Sequence, residues 1–265
     1  MSSRRAGSLL RAILWDVDGT LAETERDGHR IAFNQAFEAL GLPWRWDVVR
    51  YGELLKVTGG RERLLRGMQD EPRVPRDPAE REALAARLHA LKNDFYARIV
   101  AGGAIPLRPG VRELMDDCAS GGLPMGIVTT TSRVNVGALL APHLGAAWAS
   151  AFAVIVTAQE APRKKPDPQA YQLALGNLQL TAASVLAIED SPAGAVAAGA
   201  AGIPVLVTRS YYFASEPVTG ALAVGPSLGE RTGWLPEAGA GPDTEHRRVD
   251  LARIRQWHAR VFTGN

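Results

Sequence analysis

The stretch that decides the fold reads Ala12-Ile13-Leu14-Trp15-Asp16-Val17-Asp18-Gly19-Thr20. Its four apolar residues predict a buried strand, and Gly19 predicts a turn directly after the two acids. Where the strand ends and the chain turns, both carboxylates can reach the crevice outside the carboxyl end of a sheet, where open α/β proteins bind their ligands. One acid could then act as a nucleophile and the other could transfer protons. The alternative is an ordinary strand that runs into an Asp-Gly turn.

Four further short apolar runs follow along the chain, with helical patterns between them. The five predicted strands are Ala12–Trp15, Met125–Val128, Ala153–Val156, Val185–Ile188 and Val205–Val207. This alternation of strand and helix predicts an α/β fold, in which a parallel sheet carries helices on its faces.

The long interval between the first two strands is predicted to be almost entirely helical. Apolar residues at steps of three and four predict one amphipathic helix that ends at Gly41 and another from Leu84 to Ile99. We therefore predict an α/β catalytic core and a helical cap domain inserted into it. The core is formed by residues 1–25 and 104–265, of which 225–265 are a loop-rich tail with a terminal helix, and the cap is formed by residues 26–103.

The composition is that of a globular protein, with 46% hydrophobic and 22% charged residues and a net charge of +2. This near balance of charge gives no indication of a nucleic-acid partner, and no apolar run approaches the roughly 20 residues of a membrane span. The single cysteine, Cys118, excludes an internal disulfide framework and falls at a core position of a helical pattern. No apolar segment typical of a secretory signal precedes the first strand, so we expect a soluble, cytoplasmic protein. We also expect it to be a monomer.

Three later strands also end in polar residues that suit a phosphate or a cation. The second is followed by Thr129-Thr130-Thr131-Ser132, whose hydroxyls and free backbone N–H groups could hold phosphate oxygens or could cap a helix. The third leads to Arg163-Lys164-Lys165-Pro166, where the proline could help to aim the Lys165 ammonium into the crevice; a solvated basic face is the alternative. The fourth ends in Glu189-Asp190-Ser191-Pro192, which offers oxygen ligands to Mg²⁺ or an acidic helix cap.

Taken in order, these four strand ends resemble the four signature motifs of the haloacid dehalogenase (HAD) superfamily of phosphohydrolases. The resemblance covers residues 11 to about 213. It implies a HAD-type, Rossmann-like parallel-sheet core with an inserted helical cap. It also implies an enzyme that hydrolyses phosphoric monoesters with Mg²⁺ as its cofactor and a sugar phosphate as its substrate.

Finer details are similar to the CbbY-type phosphatases of the β-phosphoglucomutase-like subgroup. The matching segments are Glu23-Thr24-Glu25, Tyr51, Thr58-Gly59-Gly60-Arg61-Glu62-Arg63, Thr129–Ser132 with Asn135-Val136, and Lys164-Lys165-Pro166. That group is associated with the Calvin cycle and removes the C1 phosphate of xylulose 1,5-bisphosphate, an inhibitor of Rubisco, so the resemblance implies this substrate. Two features depart from the pattern. Trp15 stands where a Phe is expected, and the stretch from Glu25 to His29 is one residue longer than in several relatives.

The resemblance also implies roles for individual residues. Asp16 would be the nucleophile that forms an aspartyl-phosphate, and Asp18 would serve as acid and base. Mg²⁺ would be held by Asp16, the backbone carbonyl of Asp18 and Asp190, with Glu189 as a supporting residue or a further ligand. The other assignments are Thr129, Thr130 and Lys165 to the transferred phosphate, and Glu25, His29, Tyr51, Gly60, Arg61 and Arg63 to the rest of the substrate. For each arginine the alternative is a surface ion pair.

Two other functions stay open at this stage. A sugar phosphomutase would keep its aspartyl-phosphate and return the phosphate to another carbon of the sugar, and Asp18 serves that reaction equally well. A non-catalytic binding module could keep the same fold. The presence of both Asp16 and Asp18 argues against a binding module, because a binding site has no use for both a nucleophile and its proton shuttle.

Overall fold

The structure is a computed structural model that describes residues 10–235 and 248–263. The chain divides into two compact units, each built from more than one segment. The first contains the described residues of Met1–Ala22, Leu107–Thr129 and Ala149–Asn265, and the second contains Glu23–Pro106 and Thr130–Trp148. The second unit includes the interval in which the helical cap is predicted, together with a segment that follows the second strand.

The first unit is built on a parallel sheet, which within the described residues has six strands in the order β3-β2-β1-β4-β5-β6. The strands are β1 (Ala12–Trp15), β2 (Met125–Val128), β3 (Val154–Val156), β4 (Val185–Glu189), β5 (Val205–Thr208) and β6 (Ala223–Gly225). Every neighbouring pair is parallel, so the carboxyl ends of all strands meet at one edge. The four longest central strands are continuously buried, as expected when both faces of a parallel sheet are covered. The predicted α/β class is confirmed.

Strand β6 was not among the predicted strands, because Ala-Val-Gly is too short to form an apolar run. Instead, contacts with Trp234 and Leu235 stabilise the strand. The indole of Trp234 packs against Gly225 so closely that a Cβ at that glycine would lie 2.1 Å from Trp234 Cδ2. Val224 also pairs with Leu235 in an antiparallel bridge, with N–O distances of 2.9 and 2.7 Å.

The helices begin and end at residues with recognisable local causes. In chain order they are α1 (Arg30–Ala39), α2 (Val48–Leu54), α3 (Gly60–Gly67), α4 (Pro78–Val100), α5 (Val111–Ser120), α6 (Arg133–Leu144), α7 (Gln169–Leu178), α8 (Pro192–Ala200) and α9 (Leu251–Thr263). Asp77 accepts hydrogen bonds from the backbone N–H groups of Ala79 and Glu80 and so caps the long helix α4. Helix α8 starts at Pro192 and consists almost entirely of small residues, which lets it pack closely on β4 and β5.

The second unit is held together by an aromatic core between α1 and the segments that follow it. Phe33 and Phe37 on α1 both contact Trp46, with ring centroids 5.1 and 4.9 Å apart. Asn34 fixes the backbone of Trp46 in both directions, since its side chain accepts from the Trp46 N–H at 2.8 Å and donates to the Trp46 carbonyl at 2.9 Å. The predicted helix that ends at Gly41 corresponds to α1, and the predicted helix from Leu84 to Ile99 lies within α4.

A turn of π-helix over Glu25–His29 leads into α1. A π-turn places one more residue in a helical turn than an α-turn does, and such turns are frequent at functional sites. The additional residue in this stretch stays a prediction, and a π-turn is one way for a helix to hold it.

The predicted loop-rich tail lies partly outside the described residues, which omit 236–247 and 264–265. In the described part, the segment that precedes α9 is anchored to α5 by a bidentate ion pair, in which the Arg248 guanidinium donates to the Asp117 carboxylate at 2.8 and 2.9 Å. Residues 1–9 also lie outside the described ranges. Within the described ranges, no helix combines the length and the apolar character that crossing a bilayer would require.

Candidate active site

Asp16 lies where the sequence places it, directly after β1, and it is almost fully buried. Its backbone N–H donates to the Ile188 carbonyl at 3.0 Å, which continues the pairing of β1 with β4 for one more residue. Its side chain accepts from the Lys165 ammonium at 2.7 Å and from the Thr20 hydroxyl at 3.0 Å. Both oxygens of the predicted nucleophile are thereby oriented.

The turn after Asp16 brings the chain back toward the fourth strand. Gly19 adopts a φ of +85°, and its N–H donates to the Ala22 carbonyl at 2.9 Å. A Cβ at this position would lie 2.1 Å from Asp190 Oδ2, so a side chain would collide with that carboxylate. Glycine is required here both for the backbone conformation and for the close approach to Asp190.

Lys165 is buried and uses its three ammonium donors within the first unit. It donates to Asp16 Oδ1, to Glu189 Oε1 at 2.6 Å and to the Val128 carbonyl at 2.8 Å. Burial acts to lower the pKa of Lys165, but the carboxylates of Asp16 and Glu189 outweigh it, and the pKa is raised. The lysine therefore stays charged between two acids, and the alternative of a solvated basic face does not hold for it.

The carboxylates of this site carry more negative charge than Lys165 balances. Ligand atoms of Asp16, Glu189 and Asp190 all lie within 4.8 Å of one another, and all three residues are buried. Burial, followed by repulsion from Glu189, raises the pKa of Asp16 to about 7. Burial and repulsion from Asp16 likewise raise the pKa of Asp190, although a hydrogen bond from Ser210 opposes the shift.

This donor set fits a hard divalent cation. When all three carboxylates are ionised, their negative charge exceeds that of the Lys165 ammonium beside them and of the Arg108 guanidinium that also acts on Asp190. Mg²⁺ takes oxygen ligands of this kind. Glu189 Oε2 is buried, and among the residues that the structure describes it has no hydrogen-bond partner. Its other oxygen is shared between Lys165 and the Tyr171 hydroxyl at 2.5 Å, which supports the predicted role of Glu189 beside the ligands.

The raised pKa of Asp16 predicts how the metal-free protein responds to pH. A carboxyl whose pKa is higher in the folded than in the unfolded state binds more protons when folded, so the free energy of unfolding falls as pH rises between the two values. For Asp16 these values are 3.8 and about 7. In EDTA, we expect the free energy of unfolding of Asp16→Asn to rise relative to that of the wild type over this window, in urea unfolding measured at several pH values. Equal slopes for the two proteins would contradict the raised pKa.

The hydroxyl cluster after β2 is divided between the two units. The Thr129 backbone N–H donates to the Val156 carbonyl at 3.0 Å, so the prediction of a free N–H is wrong for this residue: the pairing of β2 with β3 extends past the strand end. Ser132 accepts from the Asn135 N–H at 3.2 Å and caps α6, which is the alternative role considered for the cluster. Thr130 belongs to the second unit. The assignment of Thr129 and Thr130 to phosphate stays a prediction.

Three of the predicted substrate residues converge within the second unit. The Tyr51 hydroxyl donates to Glu25 Oε2 at 2.5 Å and accepts from an Arg63 guanidinium N–H at 2.7 Å. Arg63 also forms an ion pair with Glu25 at 3.3 Å, and its guanidinium lies 5.1 Å from the centroid of the Tyr51 ring. We call these three residues the Glu25–Tyr51–Arg63 triad.

The other predicted cap residues lie apart from this triad or are differently engaged. Arg61 is half-exposed and pairs with Glu82, the surface ion pair that was the alternative for it. His29 is buried and stacks on Tyr96 with ring centroids 4.0 Å apart. Gly60 is the first residue of α3, and a Cβ there would lie 2.8 Å from His89 Nε2.

Sequence reasoning missed several polar residues that the structure places inside the two units. In the first unit these are Tyr171, which binds Glu189, and Ser210, which binds Asp190. In the second unit Lys92 is buried, with its ammonium 5.3 Å from the ring centroids of both Phe33 and Tyr96. A signal for Lys92 was present, because it occupies a core position of α4, four residues from a buried residue on either side.

Comparison with known proteins agrees with this geometry. The family model described as haloacid dehalogenase-like hydrolase matches residues 10–202. The chain belongs to the haloacid dehalogenase-like hydrolases. The predicted superfamily is confirmed, and with it the prediction that this protein is an enzyme.

Within the haloacid dehalogenase-like hydrolases the chain is similar to CbbY proteins. It is 44% identical to protein CbbY of Cupriavidus necator over 250 residues, which cover 94% of this chain and 97% of that protein. A crystal structure of CbbY from Rhodobacter sphaeroides, a mutant in complex with xylulose-(1,5)bisphosphate, is 38% identical, with a TM-score of 0.78 and coverage of 84% and 97% of the two chains. β-Phosphoglucomutase from Clostridium difficile, at 18% identity and a TM-score of 0.70 over 96% and 99%, shares the fold.

Proposed function

We propose that this protein is a Mg²⁺-dependent phosphatase that converts xylulose 1,5-bisphosphate to xylulose 5-phosphate through an aspartyl-phosphate. The observation that carries the proposal is the buried cluster of Asp16, Lys165, Glu189 and Asp190 at the carboxyl edge of the sheet. The similarity to CbbY proteins, one of which binds this bisphosphate, supports the choice of substrate. Xylulose 1,5-bisphosphate is a side product of Rubisco that inhibits it, as the resemblance to CbbY-type phosphatases implies. An enzyme that removes it would support the Calvin cycle.

Asp16 is the nucleophile in this proposal because its carboxylate is already oriented by Lys165 and Thr20. It attacks phosphorus in line, and Asp18 protonates the departing sugar oxygen. Asp18 then takes a proton from the water that hydrolyses the aspartyl-phosphate. Phosphoryl transfer depends mainly on positioning and charge neutralisation, which Lys165, Thr129 and Thr130 supply to the phosphate oxygens.

Asp16, the Asp18 backbone carbonyl and Asp190 would hold Mg²⁺, with Glu189 in support. When bound, the cation keeps Asp16 ionised and offsets repulsion between its carboxylate and the phosphate. Without it the pKa of Asp16 is raised to about 7, which would leave much of the nucleophile protonated near neutral pH.

The Glu25–Tyr51–Arg63 triad is our candidate for contacts with the rest of the sugar bisphosphate. Its members are connected by charge-assisted hydrogen bonds, which fix the orientation of all three polar groups before substrate binds. A carboxylate and a hydroxyl suit sugar hydroxyls, and a guanidinium suits the phosphate that is not transferred. His29 and Gly60 keep their predicted roles as further contacts.

The proposal is tested by assaying the purified protein with a panel of ketose and aldose mono- and bisphosphates, with and without Mg²⁺. We expect release of inorganic phosphate to be fastest from xylulose 1,5-bisphosphate and to be abolished by EDTA. Formation of an isomeric sugar phosphate, dependent on a bisphosphate primer, would instead identify a mutase. Equal rates on all sugar phosphates would contradict the proposed substrate.

The two arginines of α3 make a matched pair of variants. We expect Arg63→Ala to cost about 2–4 kcal/mol on the bisphosphate, or roughly 30- to 800-fold in kcat/KM, because a buried charge-assisted contact is lost. Hydrolysis of p-nitrophenyl phosphate, which has no second phosphate, should change little. Arg61→Ala removes a half-exposed ion pair and should change neither rate appreciably. A selective loss in Arg61→Ala alone would make Arg61 the anchor, and equal losses on both substrates would indicate a role in folding.

A further inference from the structure

Arg108 lies three residues before α5 and is buried within the first unit, where its guanidinium binds backbone carbonyls from three separate segments. One terminal nitrogen donates to the Gly19 carbonyl at 2.5 Å and to the Thr208 carbonyl at 3.0 Å. The other donates to the carbonyls of Arg209 at 2.5 Å and Pro226 at 2.9 Å. The planar fork of arginine spreads five N–H donors over two terminal nitrogens and can reach all four carbonyls, whereas the compact ammonium of lysine has three donors on one atom.

Two of these segments border Asp190. The Gly19 backbone lies against the Asp190 carboxylate, since a Cβ added at Gly19 would lie 2.1 Å from Asp190 Oδ2 and 3.2 Å from Ser210 Cβ. Ser210, which follows the Thr208–Arg209 carbonyls directly, donates a side-chain hydrogen bond to Asp190. Asp190 is therefore flanked by two backbone segments, and Arg108 binds both of them.

The backbone of Arg108 holds the same turn a second time. Its N–H donates to the Leu21 carbonyl at 2.8 Å, and the preceding Leu107 pairs with Ala22. The turn that carries Asp18 and Gly19 is thus tied to one residue through both its main chain and its side chain.

We propose that Arg108 is a positioning residue of the active site, which holds the Asp18–Gly19 turn and the Thr208–Ser210 segment at the separation that lets Asp16, Asp18 and Asp190 share one cation. The inference rests on the proposed function for the identity of that cation. Arg108 acts through these backbone groups, the Thr208 hydroxyl and Ser210, and the attraction of its charge also acts to lower the pKa of Asp190. Its removal would leave four carbonyls to find other partners in a buried region, so the two segments would separate or admit water.

The test compares Arg108→Ala and Arg108→Lys with the wild type by calorimetric titration with Mg²⁺, without substrate, and by turnover. We expect Arg108→Ala to weaken Mg²⁺ binding and to lower kcat by about 10- to 100-fold each, the range seen when groups that orient metal ligands are removed, with KM nearly unchanged. Guanidinium chloride at low millimolar concentration should restore part of the loss in Arg108→Ala. Arg108→Lys keeps the charge without the fork and should fall between the other two; it also serves if the alanine variant does not fold.

Arg248→Ala is the matched control. Arg248 is a partly buried arginine of the same unit, and it binds Asp117 near the C-terminal end of α5. It should lower the free energy of unfolding and leave Mg²⁺ binding unchanged. Unaltered Mg²⁺ binding in both Arg108 variants, or an equal loss in Arg248→Ala, would overturn the proposal. A wild type that binds Mg²⁺ but hydrolyses no sugar phosphate would refute the proposed function, while the calorimetric comparison would still decide the role of Arg108.

Discussion

Asp16→Asn is expected to lower turnover by at least about three orders of magnitude while the protein still folds, because a carboxamide is a poor nucleophile. The structure predicts no cost in folding. The asparagine oxygen can accept from Lys165 while its NH₂ group donates to the Thr20 hydroxyl, and the substitution removes one of three clustered buried carboxylates. In EDTA near neutral pH the variant should be at least as stable as the wild type, since the raised pKa of Asp16 shows that its charge is unfavourable there. Phosphate release and urea unfolding measure the two effects.

Asp116→Asn provides the control for this experiment. Asp116 is exposed and forms an ion pair with Arg112, which is exposed as well. The same chemical change at this position should therefore leave turnover unaltered. Substantial turnover by a folded Asp16→Asn protein, with contamination by wild type excluded, would refute the covalent mechanism.

Lys165→Met is expected to have the second largest effect, on stability and activity together. The ammonium lies between Asp16 and Glu189 at 2.7 and 2.6 Å and is nearly inaccessible to solvent. Its removal leaves two buried carboxylates without their counter-ion, which typically costs about 3–5 kcal/mol of folding free energy. Turnover should also fall by at least about 100-fold, because the positive charge that we propose to stabilise the phosphate oxygens is lost. Urea unfolding in EDTA and phosphate release with Mg²⁺ separate these losses.

A double substitution distinguishes charge from packing at this site. Lys165→Met combined with Glu189→Gln removes one cation and one anion, so it should recover part of the stability lost in the single variant but none of the activity. Lys164→Met makes the same substitution one residue earlier, at a partly exposed side chain, and should change little. If Lys165→Met were as stable as the wild type, the acids would not depend on this lysine for their burial.

The strands and the polar residues that follow them could be predicted from the sequence, because both are local features. A strand buried on two faces is a continuous apolar run, and β1, β2, β4 and β5 were found within a residue of their ends. In a parallel sheet the residue after such a run lies at the edge that binds ligands. The acids after β1 and at the end of β4 could therefore be recognised before their partners were known. The short strand β6 could not, because Trp234 and Leu235 stabilise it from elsewhere in the chain.

The sequence by itself determined the α/β class, the order of the polar strand ends and the helical character of the second unit, all of which follow from periodicity and from neighbours in the chain. Only the tertiary structure decided how the charges pair. It joined Lys165 to Asp16 across 149 positions, buried Arg63 against Glu25 and Tyr51, and left Arg61 at the surface with Glu82. It also brought Arg108 to carbonyls about 90 to 120 residues away in the chain. The physical reason is that a charge is stabilised by whatever lies within a few ångströms of it, and the order of strands in the sheet, which has no local signature, sets those neighbours.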